Sequence, residues 1–255
     1  MKKKLIITFG AIAIFSIVLT QLVNSKPNYD YRIYTPENLS TLTSKIASSN
    51  QKSSEILFIV DYSNSMNDTI GSKTKLDMAR NTLAEIIPKI PPSTKVGLRI
   101  YGHKAGFTYL QGCQATNLVV PIAADNFQNI MQALYSKSAT GWTPITYSLK
   151  QAINNDLAGI QGKKHIILLT DGGENCDESP CTYVINLLKT RDDVMIDVIA
   201  FDIQDDEANN QLRCTALMTR GKFLQANNEA DLYNSLFESV GISKNVKANV
   251  RIPAE

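Results

Sequence analysis

Asp61, Ser63 and Ser65 form an Asp-x-Ser-x-Ser pattern that directly follows five apolar residues, 56–60. Such a run is typical of a strand buried on both faces of a sheet. Ligands of open α/β sheets bind at the carboxyl ends of the strands, where these side chains would lie. One carboxylate and two hydroxyls are hard oxygen ligands, which suit Mg²⁺ or Mn²⁺ better than zinc or copper. The alternative is a polar turn with a helix cap, since Ser and Asp are favoured there.

A second carboxylate and a third hydroxyl occur later in the chain. Asp171 follows another apolar run, residues 165–170, and Thr143 lies in a Gly-Trp-Thr-Pro loop between the two runs. If the two predicted strands are neighbours, Asp61 and Asp171 lie at the same edge of the sheet. Simpler roles remain open, because Thr143 would also cap the following helix and Asp171 would also suit a turn.

Strand-like and helix-like segments alternate from residue 53 to residue 242, which predicts one domain over 53–242. The predicted strands cover 56–60, 96–101, 117–122, 165–170, 195–201 and 222–226, and the helices cover 76–89, 125–136, 145–157, 180–191, 205–220 and 229–240. This alternation predicts an α/β fold: a doubly wound, mostly parallel six-stranded sheet with helices on both faces. A loop, residues 102–112, separates the second and third strands, which should therefore form an antiparallel pair. Pro121 places the third strand at an edge, and Asp125 is the expected cap of the next helix.

The order and spacing of these pieces resemble the von Willebrand factor type A (vWA) domain. The metal-ion-dependent adhesion site (MIDAS) of that family combines Asp-x-Ser-x-Ser with a distant Thr and a distant Asp. The matching residues here are Asp61, Ser63, Ser65, Thr143 and Asp171. The resemblance covers residues 54–240, and the stretches Thr-Asp-Gly-Gly-Glu-Asn-Cys and Gly-Trp-Thr-Pro-Ile resemble a bacterial exported subgroup.

The resemblance implies a Rossmann-like fold and a bound Mg²⁺, or Mn²⁺, in preference to Ca²⁺. It also implies that an Asp or Glu of a protein partner completes the coordination of the ion. Three neutral hydroxyls and two carboxylates, at least one of them bound through water, would leave the cation with positive character and an open octahedral position. A carboxylate of another molecule is the natural ligand for such an ion.

Several other side chains are candidates for the rim of this site. Trp142 would anchor a partner or form a half-buried lid over its loop, as aromatic residues do at interfaces. His103 would be a general base or an extra ligand, although a solvated loop histidine is the simpler expectation. Glu174 and Asp177 are expected to be solvated loop acids, and His165, at the start of a strand, is expected to be structural.

The amino-terminal sequence indicates export. Lys2, Lys3 and Lys4 precede residues 5–23, which carry no charge and nearly reach the length that spans a bilayer. We expect residues 1–25 to be an uncleaved signal anchor, with a cleaved signal peptide as the alternative, and residues 26–52 to be a polar tether. The basic flank favours a cytoplasmic amino terminus. The predicted location is the inner (cytoplasmic) membrane, with a single span and the domain in the periplasm or outside the cell. Residues 243–255 are a tail without a strong pattern.

The four cysteines, Cys113, Cys176, Cys181 and Cys214, all lie in the part predicted to be exported. An even number in an oxidising compartment predicts two disulfides, with three possible pairings. A zinc clip at Cys176 and Cys181 lacks a second pair of ligands. Without Lys2, Lys3 and Lys4 the chain has 23 basic residues against 24 acidic ones, so nucleic acid is not an expected partner.

The function expected from these features is partner binding through a metal ion, without catalysis. One alternative is a subunit of a cell-envelope assembly, secretion or channel complex with a vestigial metal site. A metal-assisted hydrolase is a further alternative, in which His103 would be the base.

Overall fold

The computed structural model of the protein describes residues 55–241. The predicted signal anchor (1–25), tether (26–52) and tail (243–255) lie outside the described residues, so these predictions stay untested. Between residues 55 and 241, none of the helices is both long and apolar enough to cross a bilayer.

Eight strands and seven α-helices follow one another in this range. They are β1 (Glu55–Asp61), β2 (Thr69–Ile70), β3 (Lys73–Thr74), α1 (Lys75–Ile86), β4 (Lys95–Tyr101), α2 (Tyr109–Cys113), β5 (Thr116–Ala123), α3 (Phe127–Tyr135), α4 (Ile145–Gln151), β6 (Lys164–Thr170), α5 (Pro180–Leu187), β7 (Val194–Phe201), α6 (Asp206–Met218), β8 (Phe223–Ala226) and α7 (Glu229–Ser239). Short 3₁₀ turns cover Asn64–Asn67 and Ile87–Lys89, and a π-helical turn, Ala152–Asp156, continues α4.

Six strands form one sheet in the order β5-β4-β1-β6-β7-β8. All neighbouring pairs are parallel except β4 and β5, which are antiparallel. Phe58 in the central strand β1 pairs with Leu98 on one side and Ile167 on the other. The predicted doubly wound sheet with one antiparallel edge strand is therefore confirmed.

The two faces of the sheet bury separate apolar cores. Alternate residues of β1 point to opposite faces, so Phe58 and Val60 belong to one core and Leu57 and Ile59 to the other. Helices α1, α3 and α7 cover the first face, and α4, α5 and α6 cover the second; examples of their core residues are Leu83, Ile130 and Leu236, and Leu149, Val184 and Leu212. Burial on both faces explains why β1 is apolar at every position from 56 to 60.

Asp125 does not cap the following helix, so this prediction is wrong. Asp125 has a left-handed φ of 53°, and α3 begins at Phe127 after Asn126. The Asn126 side-chain amide donates to the carbonyl groups of Val96 and Pro121, at 2.7 and 2.6 Å. The start of α3 is thus fixed by hydrogen bonds to β4 and β5 rather than by a local cap.

The predicted loop at residues 102–112 contains part of a short helix, α2, which sequence analysis did not identify. Thr108 caps α2 by accepting a hydrogen bond from the N–H of Gln111. The hairpin of β2 and β3 was not predicted either. Five-residue helices and two-residue strands are too short to show an apolar period.

A buried polar network lies at the amino edge of the sheet. Asp197 Oδ2 lies 3.1 Å from His165 Nε2 and accepts a hydrogen bond from Ser239 Oγ at 2.6 Å, while Oδ1 accepts from the N–H of Lys222. Burial alone would raise the pKa of Asp197, but these contacts outweigh it and lower the pKa. Because Glu55 begins β1 and Ser239 ends α7, the first and last described elements meet this same edge.

Candidate metal centre

Asp61 ends β1 and is fully buried. Its Oδ1 accepts from the backbone N–H of Ser63 at 2.6 Å, and its Oδ2 accepts from the hydroxyls of Tyr101 at 2.9 Å and Thr170 at 2.8 Å. Burial and the nearby charge of Asp171 raise the pKa of Asp61. Burial also raises the pKa of Tyr101, which keeps its phenol protonated as a donor. Neighbouring strands β4 and β6 therefore fix the orientation of this carboxylate.

Ser63, Ser65 and Asp171 form a chain of hydrogen-bonded oxygens beside Asp61. Ser63 Oγ lies 3.1 Å from Ser65 Oγ, and Ser65 Oγ donates to Asp171 Oδ1 at 2.7 Å. Ser63 and Asp171, at the two ends of this chain, are buried, and Ser65 between them is half-buried, so the chain reaches solvent at Ser65. The adjacency of β1 and β6 brings these distant residues together, as the sequence predicts.

Thr143, the fifth predicted ligand, is buried in the loop before α4. Two residues earlier, Gly141 forms an isolated parallel bridge with Ser63, and the Gly141 carbonyl accepts from the N–H of Asn64 at 3.0 Å. On the other side, Asn175 Oδ1 accepts from the N–H of Thr143 at 2.7 Å. The Thr143 loop is therefore held between the Asp-x-Ser-x-Ser loop and the loop after β6.

Lys75 contributes a buried positive charge that sequence analysis did not identify. Its Nζ lies 3.2 Å from Asp171 Oδ2 and 3.2 Å from Asp202 Oδ2. Burial alone would lower the pKa of Lys75, but the two carboxylates outweigh it and raise the pKa. Burial likewise raises the pKa of Asp171, against the lowering effects of Ser65 and Lys75. One carboxylate oxygen of Asp171 thus faces a hydroxyl and the other faces an ammonium group.

Glu174 is partly buried and bonded to backbone, so the expectation of a solvated loop acid is wrong. Its two carboxylate oxygens accept hydrogen bonds from the N–H of Thr146 at 2.7 Å and from the N–H of Cys176 at 3.0 Å. Burial raises the pKa of Glu174 to about 7, against the lowering effect of these hydrogen bonds. Glu174 therefore joins the start of α4 to the loop that carries Asn175.

Two disulfides lie at or near this edge, which confirms the predicted number. Cys113 pairs with Cys176, and Cys181 pairs with Cys214. The first bond joins α2 to the loop after β6, directly beside Asn175, and the second joins α5 to α6. The structure thereby selects one of the three pairings that the sequence left open.

The rim candidates lie near the same loops. His103 is buried rather than solvated, and burial, together with the charge of Lys104, lowers its pKa. It follows Gly102, which has a φ of +74° and where a Cβ would lie 2.5 Å from Ser63 N and 2.7 Å from the Trp142 carbonyl oxygen. Only glycine fits there, so the loop that carries His103 passes directly over the Asp-x-Ser-x-Ser loop. Trp142 is exposed at the rim, with 40% of its surface accessible to solvent.

The donor set suits a hard divalent cation. Two carboxylates and three hydroxyls are oxygen ligands, which favour Mg²⁺ or Mn²⁺ over Zn²⁺. Among residues 55–241, no group of three or more His, Cys, Asp or Glu side chains could hold a metal ion. A cation at this edge would therefore depend on the serine and threonine hydroxyls as well as on Asp61 and Asp171.

The chain belongs to the von Willebrand factor type A domain family, whose family model matches residues 55–238. Two proteins of Bacillus subtilis (strain 168) are similar to it. The uncharacterized protein YwmD is 27% identical over 208 residues, which cover 78% of this chain and 90% of YwmD. The uncharacterized protein YwmC is 28% identical over 181 residues, which cover 69% of this chain and 78% of YwmC.

Solved structures share the fold at low sequence identity. A von Willebrand factor type A protein from Catenulispora acidiphila has a TM-score of 0.58 at 18% identity. The match covers 73% of this chain and 41% of the Catenulispora chain. Proximal thread matrix protein 1 from the mussel byssus, with a zinc-occupied MIDAS motif, has a TM-score of 0.54 at 19% identity. The match covers 73% of this chain and 44% of the byssus protein. The pilus adhesin SpaC from Lactobacillus rhamnosus GG has a TM-score of 0.56 at 14% identity. The match covers 76% of this chain and 30% of the SpaC chain. The matched part spans less than half of each of these three solved chains.

Proposed function

We propose that this protein is an extracytoplasmic binding module, anchored in the cytoplasmic membrane by residues 5–23, that binds a protein partner through Mg²⁺. Asp61, Ser63, Ser65, Thr143 and Asp171 would hold the ion, and an Asp or Glu of the partner would complete its coordination. The observation that carries this proposal is the chain of oxygens from Ser63 through Ser65 to Asp171, beside the buried Asp61.

The charges around these oxygens favour an external carboxylate. Three of the five proposed ligands are neutral hydroxyls, and the ammonium group of Lys75 offsets part of the Asp171 charge. When bound, a divalent cation would supply a positive charge with an exchangeable coordination position. Ser65 is half-buried at the solvent side of the oxygen chain, which gives a partner side chain access to the site. We propose no catalytic step, since the proposed role requires binding alone.

The proteins of similar fold support both parts of this proposal. The mussel byssus protein has a metal ion in its MIDAS motif, and SpaC is a pilus adhesin. The choice of Mg²⁺ over the zinc of the byssus protein rests on the oxygen ligands present here. The two disulfides support an oxidising compartment, and the charge-free residues 5–23 support the membrane anchor.

Metal binding can be tested with Trp142, the only tryptophan of the chain and the direct neighbour of Thr143. Mg²⁺ titration should change the Trp142 fluorescence of the purified full chain, and EDTA should reverse the change. The response should be lost in Asp61→Ala and Ser65→Ala but kept in Asp192→Asn, whose side chain is 79% exposed.

Partner binding can be tested by a Mg²⁺-dependent pull-down from a cell-envelope extract. The captured protein should be released by EDTA and absent with Asp61→Ala as bait. Capture undiminished by both EDTA and Asp61→Ala would refute the proposed role of the metal.

A further inference from the structure

Large apolar side chains are exposed beside the candidate metal centre. Among residues 55–241, the exposed large hydrophobic side chains are Phe107 (102%), Tyr109 (45%), Leu110 (64%), Trp142 (40%) and Tyr135 (54%). The first four lie in two neighbouring segments, the stretch at α2 and the Thr143 loop, and we call them the aromatic rim. Single exposed apolar residues are ordinary on protein surfaces, but a contiguous group marks an interaction surface.

Direct contacts join the two segments of the aromatic rim. The rings of Tyr109 and Trp142 meet edge to face, with centroids 5.3 Å apart. The Trp142 indole also lies against Gly112 of α2, where an added Cβ would come within 2.3 Å of the ring. Because Trp142 directly precedes Thr143, the aromatic rim is continuous along the chain with a proposed metal ligand.

The aromatic rim is fixed to the loop after β6 by two further links. The disulfide between Cys113 and Cys176 closes the end of α2 onto this loop. The Tyr109 hydroxyl donates to Asp177 Oδ2 at 2.7 Å. A surface that is ordered before a ligand arrives loses less entropy on binding. Such fixation would give the exposed rings a defined orientation toward the metal centre.

The outermost side chains of the aromatic rim contribute little to the fold. Phe107 is fully exposed and Leu110 is nearly two-thirds exposed. Burial of either side chain against a partner would remove most of its apolar surface from water, which favours binding. The leucine and the unpacked phenylalanine suit an apolar side chain better than the hydroxyl groups of a sugar.

Positive charge lies around His103, in the loop that follows β4. Lys104 and Lys137 are exposed, and both act electrostatically on His103. Together with the proposed cation, these charges favour an acidic ligand. One ligand that satisfies both surfaces is a protein segment with a carboxylate for the metal and a large apolar side chain for the rim.

We infer that the aromatic rim is the second anchor site for the protein partner, and that it selects a segment in which a bulky aliphatic or aromatic residue lies close in sequence to the metal-binding Asp or Glu. This inference rests on the proposed function, because it assumes the carboxylate anchor. It adds a specificity that the metal alone cannot provide, since any exposed Asp or Glu satisfies the ion.

The probe for this inference is a displayed library of short random peptides with one fixed central Asp. The library is selected on the immobilised full chain in detergent with Mg²⁺, and bound peptides are released with EDTA. The wild-type pool should be enriched in bulky apolar residues beside the Asp. A selected peptide should bind Phe107→Ser/Leu110→Ser about tenfold more weakly, a loss expected for hot-spot side chains. The melting temperature of the double variant should equal that of the wild type, because neither side chain packs in the core.

The control variant is Tyr135→Ser, which removes an exposed ring packed on Arg80 at α3. It should leave the affinity of the selected peptide unchanged.

The inference would be overturned if the peptides released by EDTA showed no enrichment in apolar residues, or if the selected peptide bound the wild type and the Phe107/Leu110 variant equally well. Either result would leave the metal proposal intact. If no peptide bound to the wild type is released by EDTA, both proposals fail. A lipid-binding role would replace the inference under two conditions. The chain would sediment with phosphatidylglycerol vesicles only when Phe107 and Leu110 are present, and the selected peptides would show no apolar preference.

Discussion

Replacement of Lys75 by methionine tests how the candidate metal centre balances its charges. The Lys75 ammonium lies 3.2 Å from a carboxylate oxygen of Asp171 and 3.2 Å from one of Asp202, and the Asp171 side chain is inaccessible to solvent. Methionine keeps the length and the apolar stem of the side chain but removes the charge. Asp171 is then a buried carboxylate without a cationic partner.

The expected loss of stability follows from these distances. At an effective dielectric constant of about 20, unit charges 3.2 Å apart attract by about 5 kcal/mol. The cost of removing one partner of a buried pair is about 3–5 kcal/mol. Because the Asp202 side chain is 30% exposed and screened by water, we expect the lower end, about 3 kcal/mol. For a domain of this size the melting temperature should fall by roughly 6–12 °C.

The assay is thermal unfolding of the full chain with EDTA and again with excess Mg²⁺. The cation should replace the missing positive charge, so Mg²⁺ should raise the melting temperature of Lys75→Met more than that of the wild type. The matched control is Lys73→Met, whose side chain is 46% exposed and pairs with Glu229 at the surface. Its loss should stay within about 0.5 kcal/mol. Equal losses in the two variants, or equal Mg²⁺ responses of Lys75→Met and the wild type, would refute this reasoning.

Three further outcomes are expected. Replacing Cys113 and Cys176 by serine should lower stability by about 2–4 kcal/mol and weaken the Mg²⁺ response of Trp142 fluorescence, since this bond fixes the loop that holds Thr143; an unchanged Mg²⁺ response would contradict this. In EDTA, the raised pKa of Glu174 should reduce wild-type stability by up to about 3 kcal/mol as pH rises from about 4.5 through about 7, because the folded state then loses a proton that it binds more tightly than the unfolded state. Urea unfolding of Glu174→Gln should show a smaller loss over this pH range, because the raised pKa values of Asp61 and Asp171 remain, and an identical loss in both proteins would disprove the assignment. Asp197→Asn should lose about 2–3 kcal/mol, through its weakened hydrogen bonds, with no change in the Mg²⁺ titration; an altered titration would link the two edges of the sheet.

The strands and their order along the chain were predictable because the sheet is buried on both faces. The runs before Asp61 and Asp171 are apolar throughout their middle, and the only polar residues, His165 and Thr170, lie at the two ends of the second run. The position of β5 at the edge followed from Pro121, and the antiparallel pairing followed from the short connection between β4 and β5, which has no room for a long crossover helix. The five proposed ligands could be selected from the sequence because they occupy strand ends and loops in a fixed order.

The supporting contacts could not be predicted, because they depend on side chains that meet only after folding. Lys75 begins a helix, where a lysine is usually exposed, and it is buried here only because β6 and β7 end nearby with acidic residues. Glu174 lies between glycine and asparagine, a typical solvated turn context, yet it accepts hydrogen bonds from the backbone N–H of Thr146 in α4 and from that of Cys176 in its own loop. Asp125 shows the reverse case, in which a residue suited to capping a helix occupies a left-handed turn instead.

The location of both ends of the described domain also has a mechanical consequence. Glu55 starts β1 at the amino edge, and Asp61 ends it at the candidate metal centre. A pull between Glu55 and a ligand held by both Asp61 and Asp171 therefore runs parallel to the axis of β1. The part of the load that enters at Asp171 passes to β1 through the hydrogen bonds between β6 and β1, which are loaded in shear. These hydrogen bonds resist together, which makes the central strands suited to transmit tension from a bound ligand to the amino-terminal side of the domain.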